Sequence, residues 1–239
     1  MTVNLNSEMY HSTYTINGTT EQILQAGDGN DARCILFVPP LFDEMNRMRR
    51  VMVSAMRALA KAGIRSALLD LPGCNESAAD LAAQDLDIWC EAVVAAASQL
   101  NATHVASIRG GALIDNGIAD LPHWRLSPVG GSSLIKTMLR ARIASDKESG
   151  VTSTTDGLLE LGRTAPIELA GNRIGCAMLA SLQQTEIKQP SNVTAAMLGD
   201  GDDNVTGSAL WLRAEPQDDP AMAASIAMQL DRWSAVCAR

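Results

Sequence analysis

No stretch of this chain approaches the roughly 18 consecutive apolar residues of a membrane span, and no basic run precedes an apolar one near the amino terminus. Neither a spanning helix nor a secretory leader is expected. Cations are outnumbered: 19 Lys and Arg stand against 27 Asp and Glu, a formal net charge of -8. Nucleic-acid binding draws on clustered cations, so no nucleic-acid partner is expected. The five cysteines (Cys34, Cys74, Cys90, Cys176 and Cys237) are odd in number, widely spaced and mostly set in apolar segments. That excludes a disulfide framework and a zinc knuckle, and it points to a reducing compartment, the cytoplasm. Neither a metal nor a cofactor is expected. Internal repeats and low-complexity tracts are missing, and the three histidines, His11, His104 and His123, all precede residue 124.

What is present is a chain of 239 residues, 46% of them hydrophobic, enough for one substantial core with a small appended lid. The expectation is one domain over 1–239, with a lid inserted at about 130–165. Residues 8–26 carry Tyr, Thr and Ile around Asn17-Gly18, which reads as a hairpin. Cys34-Ile-Leu-Phe-Val38, stopped by Pro39-Pro40, reads as a strand buried on both faces. From Glu44 to Ala62, Met48, Val51, Met52, Ala55, Met56 and Leu59 recur at helical spacing until Gly63 ends the run. A strand is expected over Ile64–Asp70, a helix over Asp85–Leu100, a strand over His104–Ser107 and a helix over Gly110–Ile118. Strand and helix thus alternate, as in a mostly parallel sheet flanked by helices, an α/β fold.

After a short strand around Trp124–Leu126 the rhythm changes. A helix over Ser133–Ala144, with serines placed to cap it, leads into the polar run Ser149–Gly157. Alternation then returns with a helix near Asn172–Gln183, strands near Val193–Leu198 and Ala209–Leu212, and a terminal helix from Pro220 to Val236.

The segment His104-Val-Ala-Ser-Ile-Arg-Gly-Gly-Ala-Leu-Ile114 has the layout of a nucleophile elbow, in which a strand turns sharply into a helix and lifts the central residue of G-x-S-x-G into a pocket. Here the five positions read Ser107-Ile108-Arg109-Gly110-Gly111, with a permanent cation at the reactive place. Three features in order, the strand closed by Pro39-Pro40, the turn Asp70-Leu-Pro-Gly-Cys-Asn-Glu-Ser77 and this elbow, resemble the α/β-hydrolase superfamily. The resemblance implies that Leu41 and Phe42 occupy the oxyanion-hole position. Phe37-Val-Pro-Pro-Leu-Phe-Asp-Glu-Met-Asn-Arg-Met-Arg-Arg50, the Arg-bearing elbow, Leu134–Arg142 and Ile167–Ile174 are similar to the type 2 exosortase A system-associated hydrolases. That similarity covers roughly residues 35–180 and implies a setting of exopolysaccharide production and protein sorting, with no substrate to carry over.

A serine triad in such a fold needs a histidine after the last strand, and no histidine follows His123. Arg109 at a helix start, with the amides of Gly110 and Gly111, is suited to a carboxylate or phosphate. The competing reading is structural: Glu44, or Asp43 beside it, pairs with Arg109 and seals the site. Ser107 reads as a core residue. Arg47, Arg49 and Arg50, with Arg140 and Arg142, read as solvated faces unless both groups edge one cleft. The reading is a degenerate triad on a hydrolase-like scaffold, a pseudoenzyme that binds a small anionic or acyl ligand through Arg109, Gly110, Gly111, Leu41, Phe42 and Glu44. Its rival is an esterase or acyl transferase using Cys74 or Asp70 on an envelope-polysaccharide ester. No oligomeric state is assigned.

Overall fold

The computed structural model describes residues 9–27 and 32–237. Strands β1 (Met9–Ile16), β2 (Thr19–Ala26), β3 (Cys34–Val38), β4 (Arg65–Leu69), β5 (His104–Ile108), β6 (His123–Leu126) and β9 (Val193–Ala196) form one sheet in the order β1-β2-β4-β3-β5-β6-β9. β1, β2 and β4 are joined antiparallel, and every pairing from β4 onward is parallel. The β1–β2 hairpin turns at Asn17-Gly18, both with positive φ, as a two-residue primed turn requires.

All five residues of β3 are buried because both faces of the sheet are covered. Ile35 and Phe37 point to the core formed with α1 (Asp43–Lys61) and α6 (Pro220–Cys237). Cys34, Leu36 and Val38 point to the core holding Trp89, Ala92, Val93 and Ala96 of α2 (Leu86–Leu100). Helix α1 buries the expected Met48, Val51, Met52, Ala55, Met56 and Leu59. It ends at Gly63, whose φ of 83° suits a residue without Cβ. The Asp85 side chain caps α2 by accepting from the Ile88 amide.

Between β6 and β9 the chain leaves the sheet. It forms α3 (Gly131–Glu148), α4 (Thr155–Thr164), the two-stranded hairpin β7 (Ile167–Leu169) and β8 (Asn172–Ile174), and α5 (Cys176–Gln184). The polar run of 149–157 supplies the start of α4, with Thr154 as its N-cap.

Five expectations differ. The helix near Asn172–Gln183 begins only at Cys176, because Asn172–Ile174 pairs with Ile167–Leu169 as a strand. Gly110–Ile118 is not one helix but two short 3₁₀ turns, Arg109–Leu113 and Asn116–Ile118. Paired glycines disfavour helix, and Gly111 is pressed onto β3. Ala209–Leu212 is no strand: Leu210 and Trp211 are adjacent and both buried, which strand alternation forbids on a one-sided surface, and Leu210–Leu212 coils into a 3₁₀ turn. The serines do not cap α3; Gly130 is the N-cap and its carbonyl accepts from Ser133 and Leu134. The strand near Val193–Leu198 stops at Ala196, leaving Leu198 a single bridge to Val205.

Because β4 lies on one side of β3 and β5 on the other, the connections leaving β3 and β5 diverge, and a crevice opens at the carboxyl ends of the strands.

Candidate ligand site at the carboxyl edge

Arg109 is the first residue beyond β5 and holds a φ of 54°. A left-handed backbone costs a non-glycine residue roughly 1–2 kcal/mol, so the sharp elbow survives with arginine at its tip. Close approach explains the glycines behind it. A Cβ on Gly111 would lie 2.7 Å from the carbonyl oxygens of Val38 and Pro39, and one on Gly110 would lie 2.7 Å from Leu134 Cδ1. Gly111 therefore presses the elbow against the end of β3, and Gly110 makes room for α3.

Each nitrogen of the Arg109 guanidinium has a hydrogen-bond partner. Its Nε donates to Glu44 Oε2 at 3.1 Å, its Nη2 to Glu44 Oε1 at 3.2 Å and its Nη1 to the Ser127 carbonyl at 3.0 Å. Its flat face stacks on the Trp211 ring, 4.7 Å from the centroid, a cation–π contact. The side chains of Arg109 and Glu44 are 16% and 9% exposed. Burial pushes the Glu44 carboxyl above the ordinary glutamate range, outweighing the opposing pull of Arg109.

Of seven non-glycine residues with positive φ among the described residues, three are asparagines, which tolerate it. The other four, Phe42, Arg109, Ser127 and Ala170, all gather here. Phe42 lies between β3 and α1, Ser127 directly follows β6, and Ala170 sits in the β7–β8 turn. Strain of this kind persists where surrounding structure over-determines it, and it concentrates at functional sites.

Above the Arg109–Glu44 pair lies a cavity of about 290 Å³. Buried Leu41, Phe42, Glu44, Leu134, Met138 and Trp211 form its floor and walls; exposed Thr137, Ala141, Leu212, Arg213 and Ala214 form its rim. Arg109 does not line it, being screened by Glu44 and Trp211, which do. The structure thus brings Leu41, Phe42, Glu44 and Arg109 together, with Gly110 and Gly111 as packing beneath. Trp211, Arg213, Ser127 and the α3 residues were not singled out from sequence. For Trp211 the one sequence signal is a tryptophan in the apolar run expected as the Ala209–Leu212 strand.

In the basic turn of α1, Arg50 is exposed as a solvated face would have it, while Arg47 and Arg49 are half-buried, and all three are held in ion pairs. Arg47 pairs with Asp43 and donates to the Trp211 carbonyl at 2.8 Å, Arg49 meets Asp70 at 2.8 Å, and Arg50 meets Asp218 at 2.9 Å. Each staples α1 to a different connection at the sheet edge. On α3, Arg142 pairs with Asp146 at 2.7 Å and donates to the Glu168 carbonyl, while Arg140 is exposed.

Asp70 is buried and accepts from Arg49 and, at 2.6 Å, from Asn75. Cys74 is buried, and desolvation, then the charges of Asp70 and Glu21, push its thiol up to about 12, so it is protonated at neutral pH. His104 is buried beside Thr103 and edge-on to Trp233. His11 lies on β1, away from this edge.

Ser107, Asp115, His123 and Arg125 form a separate buried cluster. Ser107 donates to Asp115 at 2.6 Å, Arg125 to both Asp115 oxygens at 2.9 and 2.5 Å, and His123 Nδ1 stands 3.2 Å from the same carboxylate. The residue types of a triad meet here with the acid, not the histidine, in the centre, and Ser107 and Asp115 have no exposed surface.

No family model and no curated protein matches the chain. Among solved structures it is similar to a candidate hydrolase from Agrobacterium vitis S4, at 15% identity and a TM-score of 0.50, covering 80% of this chain and 78% of that one. It also matches the epoxide hydrolase VrEH1 from Vigna radiata, at 18% identity and a TM-score of 0.42, over 51% of this chain and 41% of that one. The epoxide hydrolase CorEH is matched at 20% identity and a TM-score of 0.41, over 51% and 43%. The chain spans less than half the length of these two epoxide hydrolases. With a mostly parallel sheet of this order, an elbow after β5 and a relative that shares its architecture over four fifths of its length, the chain has the α/β-hydrolase fold.

Proposed function

We propose that this protein binds rather than hydrolyses, as a member of the exosortase-associated hydrolase-like group whose catalytic triad has degenerated. On this reading the chain is one domain whose α3–α4 region is the lid, and its cavity takes a small anionic or acyl ligand in a cytoplasmic setting linked to exopolysaccharide assembly. The observation that carries it is the elbow itself: the one position from which an attacking oxygen is presented holds a guanidinium committed to Glu44, Ser127 and Trp211. Arginine cannot serve as the nucleophile, and no histidine follows residue 123 to act as a base. The placement of Cys74, a buried protonated thiol, and of Asp70, held by two donors, gives the esterase alternative little support.

The bare-anion version of the reading is narrowed by the same geometry. An anion reaching for Arg109 meets a cation already neutralised by a bidentate carboxylate, so Glu44 belongs to the seal and the apolar lining, Leu41, Phe42, Leu134, Met138 and Trp211, to the ligand. The test is turnover of p-nitrophenyl acetate, butyrate and octanoate at high protein concentration. No hydrolysis above the buffer rate is expected. Hydrolysis abolished by Cys74→Ala or Asp70→Asn would overturn the proposal in favour of the enzyme.

A further inference from the structure

We infer that the cavity accepts a small amphiphile bearing one negative charge, with its apolar tail on the floor and its head group outward at Arg213. This rests on the non-hydrolytic reading above and reverses the polarity of a hydrolytic pocket, where the reacting polar group is held at the elbow. Arg47 and Arg213 line the cavity together with Asp43 and Glu44, and the Arg109 guanidinium lies behind Glu44. Asp43 is paired with Arg47 and Glu44 with Arg109. Arg213 is the guanidinium left over, exposed at the rim with no ion pair or side-chain hydrogen bond among the described residues. The charge to be matched is therefore one, and its place is the mouth.

The floor dictates the other half. Leu41, Phe42, Leu134, Met138 and Trp211 are each no more than 6% exposed and offer carbon surface. A head group pointing inward would set a second carboxylate beside Glu44 against one guanidinium in a partly buried place, where an uncompensated charge is strongly unfavourable. A tail pointing inward meets no such penalty. A volume of about 290 Å³, at the lower end of small-molecule sites, suits a single short chain.

Isothermal titration calorimetry on the full chain, with sodium hexanoate, sodium octanoate and octanamide as probes, tests the orientation. Each added methylene should tighten binding about fourfold, so octanoate should exceed hexanoate by about fifteenfold. Octanoate should exceed octanamide by about fivefold, an exposed-pair effect that Arg213→Gln abolishes while leaving octanamide unchanged. Ala141→Trp, on the exposed rim of α3, should plug the mouth and weaken every octyl probe at least tenfold, with circular dichroism confirming the fold. The inference is overturned if octanamide binds as tightly as octanoate, if Arg213→Gln keeps the preference, if Ala141→Trp has no effect, or if no octyl probe binds. Those failures leave the ester assay untouched. Conversely, ester turnover alongside a preference that depends on Arg213 would sink the non-hydrolytic reading and keep the orientation.

Discussion

Two of the carboxylate–guanidinium pairs at the carboxyl half of this sheet, Asp115–Arg125 and Glu44–Arg109, are built for opposite ends. Asp115–Arg125 is buried: Asp115 has no exposed surface and Arg125 has 1%, with Ser107 donating to Asp115 and Arg125 donating to the Lys188 carbonyl. Glu44–Arg109 has one side on a cavity and hangs on left-handed residues, Arg109 itself and Ser127, whereas Ser107, His123 and Arg125 sit on regular strands. A buried network tied at this many points fixes one arrangement, even with His123 Nδ1 beside it making no hydrogen bond. A pair at a cavity floor, with a strained backbone behind it and an aromatic ring against it, has the surroundings in which strain is usually stored at functional sites. On the proposed reading, the Asp115–Arg125 clamp serves folding and the Glu44–Arg109 clamp serves the ligand cavity.

The sharpest way to break that distinction is to remove the acids in turn. Asp115→Ala leaves Arg125 buried without its partner and should cost about 3–5 kcal/mol in urea unfolding at neutral pH. A loss below about 1 kcal/mol would mean the cluster is not the structural anchor it resembles. Glu44→Ala deprives two guanidinium donors of their acceptor and should cost about 2 kcal/mol. Glu44→Gln should cost only about 0.5 kcal/mol, because burial already favours the uncharged side chain and one acceptor oxygen is kept.

The pH dependence of this second pair has a definite sign. The folded protein holds the Glu44 carboxyl above its unfolded value, so folding favours the protonated form. The stability this contributes is complete below the unfolded value, about pH 4.3, and is lost as pH rises through the raised one. The stability difference between the parent and Glu44→Gln should therefore shrink as pH rises through that window. A difference that widens with pH would show that pairing with Arg109 outweighs desolvation. A small effect of opposite sign concerns the strain on the cavity side. Ala170 occupies the first place of a two-residue turn with φ 48°, next to Gly171 at 75°. Ala170→Gly should raise the melting midpoint, stabilising by about 0.5–1 kcal/mol, since only the Cβ resists that backbone. Destabilisation instead would mean that the methyl, which lines the cavity, packs more strongly than the backbone is strained.

Much of this architecture can be read from the chain because its signals are local. The period of Met48 to Leu59, the stop at Gly63, the unbroken Cys34–Val38 run and the Asn17-Gly18 turn each encode their element within a few residues, and the arginine in the elbow is visible as a departure from a five-residue pattern. The helix expected over Gly110–Ile118 does not form because a contact invisible to local pattern, the press of Gly111 on the β3 carbonyls, stands in its way. Ser107 read correctly as core, but its partners Asp115, His123 and Arg125 could not be named, since strand pairing brings together residues up to 18 positions apart.

The amino-acid sequence by itself determined the strand–helix alternation, the sharp turn after β5 and the cation placed there, because each depends on side-chain period, backbone preference or residue identity along a short segment. Only the tertiary structure decided what that cation does. Glu44 lies 65 residues away from Arg109 and Trp211 lies further along the chain still, and their choice between sealing the site and leaving it open turns on the packing of α1, α3 and the 210–214 turn around one cavity, a competition among distant surfaces for the same volume.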